Sequence, residues 1–279
     1  MSALDRYIPG VPCWADTNQP DPDAAARFYG ELFGWRCEDV MPPGSDAQYL
    51  IGRLSGGDVA AITGSQEPPA WNTYVWVESA DETANRVTDA GGTVVVEPAD
   101  VLDQGRMAVC ADREGARFMI WQPRAHRGSA VVNEHGAVNF NDLHSRDLEA
   151  AKEFYHAVFG WEVLDLGPGG QMWTLPGYGD HIDLLMPGHT KAIVEMGGPT
   201  GFENVVASLN PLPADDAVTQ PHWGITFAVE DADAIAAKAV ELGGTVVMAP
   251  TDAPWVRASV LRDPAGAVFG ANHFAPENG

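Results

Sequence analysis

The chain has 279 residues, 45% of them hydrophobic and 20% charged, with a formal net charge of −23. That length and balance suit two ordinary globular domains, each burying its own core. The acidic excess is spread along the chain, which argues against nucleic acid and anionic membranes as partners, and no apolar run nears the roughly 20 residues of a membrane span.

Cys13, Cys37 and Cys110 form an odd set without metal-type spacing and read as reduced thiols. MSALDRYIPG lacks a basic segment followed by an apolar run, so no signal peptide is expected and the compartment expected is the cytoplasm. The expected state is a monomer or homodimer.

In chain order, PCWADT reads as a strand. Asp21-Pro22 then supplies an N-cap and a proline at the first helical position. Ala25, Phe28, Tyr29, Leu32 and Phe33 recur at helical spacing until Gly34, a natural left-handed stop. RCEDV, QYLIGRL and VAAIT follow as short strands. NTYVWVE leads to a helix near 81–90 and then to TVVVE, RMAVCA and RFMIWQ.

The whole device then recurs. Asp147, Ala151, Phe154, Tyr155, Val158, Phe159 and Gly160 repeat the first helix, and the pairs Asp21/Asp147, Phe28/Phe154 and Trp35/Trp161 are each 126 residues apart. AGGTVVVEPAD and LGGTVVMAPTD, and DREGARF and DPAGAVF, match at offsets of 152 and 151. The second half therefore carries about 26 extra residues, placed within 177–213. The expected fold is α+β: a tandem duplication of paired βαβββ modules, four in all, with curled mixed sheets forming cups and the helices outside. The first domain spans 1–124 with modules of about 10–66 and 70–123. Residues 125–136 form a linker, and the second domain spans 137–279 with modules of about 137–213 and 221–274. Whether neighbouring modules pair, or the first with the fourth and the second with the third, stays open.

These paired modules resemble the vicinal oxygen chelate superfamily. They have a leading strand, a helix ending in FY and FGW, a GG turn into a strand, and a D-P-x-G-A turn. That superfamily contains glyoxalase I, extradiol dioxygenases, fosfomycin-resistance enzymes and bleomycin-resistance proteins, and the chain is most similar to its two-domain actinobacterial glyoxalase-like members. The resemblance implies a metal held by histidines on two leading strands and a glutamate on a final strand, polarising neighbouring substrate oxygens. Counting from the FY pairs and the turn aspartates, those positions are Trp14, Asn72 and Met119 in the first half, and Phe140, Gly224 and Gly270 in the second. None is a histidine or carboxylate, so no metal and no cofactor are expected.

Strand parity indicates what the cups hold instead, since residues i, i+2 and i+4 share a face. Trp14, Asp16, Asn72, Tyr74, Trp76, Met119 and Trp121 share the first cup, an aromatic concavity with one carboxylate and one amide. It reads either as a ligand pocket or as a cup filled by its own tryptophans. In the second half, Phe140, Asp142, His144, His222, Thr226 and Asn272 face the cup, with Gly224 and Gly270 expected to leave room. Asp142 with His144 or His222 could serve as a catalytic acid–base pair. Alternatively His144 lies in a turn and His222 merely precedes its strand. Tyr178, His181 and Asp183, on the inserted segment, are placed to reach the pocket mouth. Arg106 and Arg257 recur at matching places and could meet an anionic substrate, though pairing with nearby turn carboxylates is the expectation.

The expected function is metal-independent binding or acid–base conversion of a small organic molecule, a secondary metabolite. One alternative is a metal-dependent lyase or dioxygenase with a displaced His/Asp site. Another is a scaffold with both cups filled. No phosphate loop, GxSxG elbow, HExxH helix or dinucleotide fingerprint occurs in the sequence.

Overall fold

The computed structural model describes residues 6–167, 170–216 and 218–276. The start of MSALDRYIPG, residues 1–5, lies outside them.

Four βαβββ modules follow one another. The first contains β1 (Pro12–Gln19), α1 (Pro22–Phe33), β2 (Arg36–Asp39), β3 (Tyr49–Leu54) and β4 (Gly57–Gly64). The second contains β5 (Ala70–Trp76), α2 (Ala80–Asp89), β6 (Thr93–Val101), β7 (Gly105–Ala111) and β8 (Arg117–Pro123). The third begins with β9 (Val138–Ser145), α3 (Leu148–Phe159), β10 (Glu162–Asp165) and β11 (Gln171–Thr174). It continues through α4 (Tyr178–Leu185), α5 (His189–Glu195) and a 3-10 turn at Phe202–Asn204 into β12 (Val205–Pro211). The fourth contains β13 (His222–Ala228), α6 (Ala232–Glu241), β14 (Thr245–Ala253), β15 (Val256–Arg262) and β16 (Val268–Phe274).

The strands form two open, mixed, eight-stranded sheets, ordered β2-β3-β4-β1-β5-β8-β7-β6 and β10-β11-β12-β9-β13-β16-β15-β14. β4 runs parallel to β1 and β8 parallel to β5, with antiparallel neighbours outward from them. The extra chain of the second half concentrates in α4, α5 and the turn, while β12 occupies the place of β4. α4 and α5 are separated at Pro187-Gly188, where Gly188 takes φ +92°.

Helix ends follow the sequence chemistry. Asp21 and Asp147 accept the N–H of Ala24 and Ala150 at 2.9 and 3.0 Å. Gly34 and Gly160 end α1 and α3 at φ +79° and +74°, a backbone state glycine enters without steric cost.

The chain packs into two compact units that interleave the modules. One comprises residues up to Cys13, Tyr74–Gly128 and Asn141–Trp223, and the other Trp14–Thr73, Ser129–Phe140 and Gly224–Gly279. The compact cores thus join first module with fourth and second with third.

The duplicated FY…FGW segment makes those joins. In the Trp14–Gly279 unit, the Tyr29 hydroxyl donates to Asp263 Oδ2 at 3.0 Å and accepts from Trp71 Nε1 at 3.2 Å. Gln19 donates to the same carboxylate oxygen at 2.7 Å, and the other oxygen takes the backbone N–H of Ala265, Gly266 and Ala267. In the other unit, Tyr155 donates to Asp112 Oδ2 at 3.1 Å and accepts from Trp223 at 2.8 Å. There the N–H groups of Glu114 and Ala116 bind Asp112 Oδ1. Trp35 and Trp161 stack on these tyrosines at 5.3 and 5.5 Å and donate to the carbonyls of Gly136 and Gly10, each at 2.7 Å. Burial, then the neighbouring carboxylate, holds both tyrosine hydroxyls well above their ordinary pKa, so they stay protonated donors. Phe28, Phe33, Phe227 and Phe269 complete one core, and Phe118, Phe154, Phe159 and Trp173 the other. Each buried phenylalanine contributes about 2–3 kcal/mol relative to exposure.

Candidate functional site

Tyr155 of α3 packs on Trp173 of β11, whose register partner Ala207 and the buried Leu143 share its side of the sheet, so the alternate residues of β9, β11 and β12 turn to the opposite face. The registers align Leu164, Met172, Ser208 and Asp142 in one row, and Asn210 with His144 in the next. Ser208 Oγ donates to Asp142 Oδ1 at 2.6 Å and accepts from Asn210 Nδ2 at 2.8 Å. His144 lies on β9 with its imidazole stacked on that of His222, the first residue of β13, at 4.7 Å and 10°. Burial, and then the charge of His222, pushes the His144 pKa down to about 4, so the ring is neutral at pH 7. His222 is exposed and donates from Nδ1 to the Gln220 carbonyl at 2.8 Å. Asp142, His144 and His222, the acid–base set expected from strand parity, thus share one face of one unit. Ser208 and Asn210 join them there.

Sequence reasoning misses Ser208 and Asn210. The signal is present in VVASLNP, whose alternation puts both on one face, but matching the halves by length absorbs all of 177–213 into the insertion.

The matching carboxylate in the Trp14–Gly279 unit is enclosed. Asp16 is 2% exposed. Asn72 Nδ2 donates to one of its oxygens at 2.8 Å and the Tyr49 hydroxyl to the other at 3.2 Å. Trp14 Nε1 donates in turn to Tyr49 at 2.9 Å, and Asn72 also reaches Asn18. Tyr49 is kept protonated by burial and by Asp16.

Tyr74, Trp76 and Trp121 are buried in the other unit. Tyr74 pairs with Met119 and Trp76 with Trp121. Tyr7 and the Arg127 guanidinium cover Trp76, at 6.0 and 4.9 Å, and Trp121 donates to the His126 carbonyl. The chain's own residues therefore fill this stretch.

Phe140 is half-buried on β9, and Thr226 and Asn272 lie on β13 and β16, where Thr226 pairs with Gly270. The room expected at Gly270 is occupied: a Cβ there would collide with Thr226 Oγ1. Tyr178 opens α4, its hydroxyl pKa raised by burial. Asp183 accepts the Thr190 N–H at 3.1 Å and so caps the start of α5. Arg106 binds Asp81 and Asp100, and Arg257 binds Asp233 and Asp252.

Residues 138–270 match the model of the Glyoxalase/Bleomycin resistance protein/Dioxygenase superfamily, and residues 14–121 that of a glyoxalase-like domain. CFP32 of Mycobacterium tuberculosis (strain CDC 1551 / Oshkosh), named as a glyoxylase, is 36% identical, with 99% of this chain and 100% of that protein covered. The chain belongs to this superfamily. The anthracycline biosynthesis protein DnrV of Streptomyces peucetius is 35% identical over 95% of this chain and 94% of its own. Among solved structures, the Mn(II)-bound glyoxalase of Novosphingobium aromaticivorans shares the fold with a TM-score of 0.61, at 17% identity, covering 95% of this chain and 82% of that one. The 2,3-dioxygenase LapB of Pseudomonas sp. KL28 does so at 0.60 and 13%, covering 97% and 93%.

The metal such folds can carry does not fit the donors present here. At the matching positions, Trp14 spends its N–H on Tyr49, Asn72 spends its amide on Asp16 and Asn18, and Phe140, Met119, Gly224 and Gly270 offer no nitrogen or carboxylate donor. Among the described residues, no three His, Cys, Asp or Glu side chains gather closely enough to hold a metal ion. No helix among those residues is long and apolar enough to cross a membrane.

Proposed function

We propose that this superfamily member binds, and by acid–base chemistry converts, a small secondary metabolite on the β9–β12 face without a metal. The observation that carries this reading is the neutral, half-buried His144 beside the Asn210–Ser208–Asp142 chain. The anthracycline-pathway name of a full-length relative supports the ligand class. Leu164 and Met172 supply an apolar floor and the hydrogen-bonded row supplies orientation, the usual division of labour in small-molecule sites.

The roles divide by chemistry. Ser208 spends its proton on Asp142, which fixes the carboxylate. His144, whose ring nitrogens are not hydrogen-bonded among the described residues, meets the ligand and can take a proton from an acidified O–H or C–H. A base held this low binds more readily than it deprotonates, so recognition precedes any turnover.

The test is elemental mass spectrometry on protein purified without chelator, combined with mass analysis of aromatic metabolites recovered after incubation. Metal far below one equivalent, with ligand retained or converted by wild type and lost in Asp142→Asn, is expected. Stoichiometric zinc, iron, manganese or nickel would contradict it.

A further inference from the structure

We infer that the β9–β12 face selects ligands that present O–H or N–H donors, an alcohol or an ammonium group, and rejects carboxylates and ethers. Asn210 and His222 are its specificity-determining residues. The inference rests on the proposed ligand site and adds its hydrogen-bond polarity.

The polarity follows from a chain of fixed protons. The carboxylate of Asp142 only accepts, so Ser208 must donate to it. Ser208 oxygen then accepts, which sets the Asn210 amide with Nδ2 toward Ser208 and leaves Oδ1 as an outward acceptor. The Gln220 carbonyl likewise only accepts, so His222 carries its proton on Nδ1 and presents a bare Nε2 when neutral. His144, kept neutral by burial, adds one bare nitrogen and one N–H. Asn210 Oδ1, His222 Nε2 and a His144 nitrogen have no hydrogen-bond partner among the described residues. Asn210 and His144 are register partners, and the His222 ring stacks on His144, so these acceptors form one row.

The nearest cation along the strand does not answer them. Arg146, two residues beyond His144, turns its guanidinium to the carbonyls of Asp216 and Thr219 at 2.6 and 2.5 Å. A row of acceptors beside a carboxylate repels an anion. It also leaves acceptors desolvated and unpaired against an ether, a cost that donor groups remove.

The experiment is calorimetric titration of the full chain with four matched probes: 2-naphthylmethanol, 2-naphthylmethylammonium, 2-(methoxymethyl)naphthalene and 2-naphthylacetate. The alcohol, the ammonium probe or both should bind about tenfold or more tighter than the ether, with the carboxylate weakest. Comparison of the alcohol with the ammonium separates neutral from cationic donors. In Asn210→Leu, donor-probe affinity should fall about tenfold while ether affinity holds. Ether or carboxylate binding as tight as the best donor overturns the inference alone. Absence of binding by every probe overturns the ligand site and the inference with it. An independent reading comes from imidazole nitrogen shifts of the free, isotope-labelled protein. His222 should be the Nδ1–H tautomer, and an Nε2–H tautomer overturns the inference whatever the probes do.

Discussion

Asp16 and Asp142 stand at the same place in two copies of one module, 126 residues apart, yet their surroundings differ in kind. Asp16 is roofed by an aromatic hydroxyl, itself held by an indole, and by an amide, and is almost wholly buried. Asp142 receives a serine hydroxyl and stays part-exposed. The registers explain the difference. Ala61 and Ser208 oppose the two aspartates, and Ile51 and Met172 lie beyond them. Two residues before Met172, where Tyr49 would stand, the chain has Gly170. The second copy lacks the side chain that closes the first. On the helix side nothing comparable has changed, since Tyr29–Asp263 and Tyr155–Asp112 are the same lock twice. The two copies keep the side that holds the fold and differ on the other.

The largest expected effect tests the conserved side. Asp263→Ala and Asp112→Ala each strip a buried tyrosine and several backbone donors of their acceptor. Each should cost about 3 kcal/mol or more in urea unfolding. A clear loss in only one of them would break the equivalence of the two locks. Next, Tyr49→Phe leaves an Asp16 oxygen and the Trp14 N–H without this partner and should cost about 2 kcal/mol. Ser208→Ala, on the more open face, should cost about 1 kcal/mol while weakening ligand binding.

A further prediction concerns pH. The folded pKa of His144 is depressed from 6.5 to about 4. Its stabilising contribution is therefore fully present above the unfolded value and is lost as pH falls toward the folded one. Its ceiling is about 3 kcal/mol, and partial solvation lowers it to about 1–2 kcal/mol. His144→Asn should flatten the stability profile between pH 6.5 and 4 by that amount, measured as urea midpoints across the range. The smallest effect belongs to Arg106→Ala and Arg257→Ala. Their exposed ion pairs should leave the melting temperature close to that of wild type, equally in both halves.

Much of the fold was legible in residues. The Asp-Pro start, the FY pair and the glycine stop specified α1 and α3, and the 126-residue offset specified the duplication. Strand parity placed Asp142 and His144 on one face because a two-residue period leaves no alternative once one neighbour is core. Module pairing was not legible. The tyrosine that joins first to fourth and second to third finds its aspartate 234 residues away in one case and 43 in the other, a choice only tertiary packing makes. Nor could composition separate a roofed carboxylate from an open one. That depended on Tyr49 and its absence at Gly170, positions visible as equivalent only through the β3 and β11 registers. The space expected at Gly270 failed for a similar reason, since the Thr226 side chain fills it.

The most direct measurement is calorimetric binding of 2-naphthylmethanol to wild type, His144→Leu and Tyr49→Phe under one set of conditions. If the second-half face is the ligand site and the first-half carboxylate is structural, His144→Leu binds about tenfold or more weakly and Tyr49→Phe keeps wild-type affinity. Affinity lost in Tyr49→Phe and kept in His144→Leu would move the site to the other copy and contradict the comparison at its root.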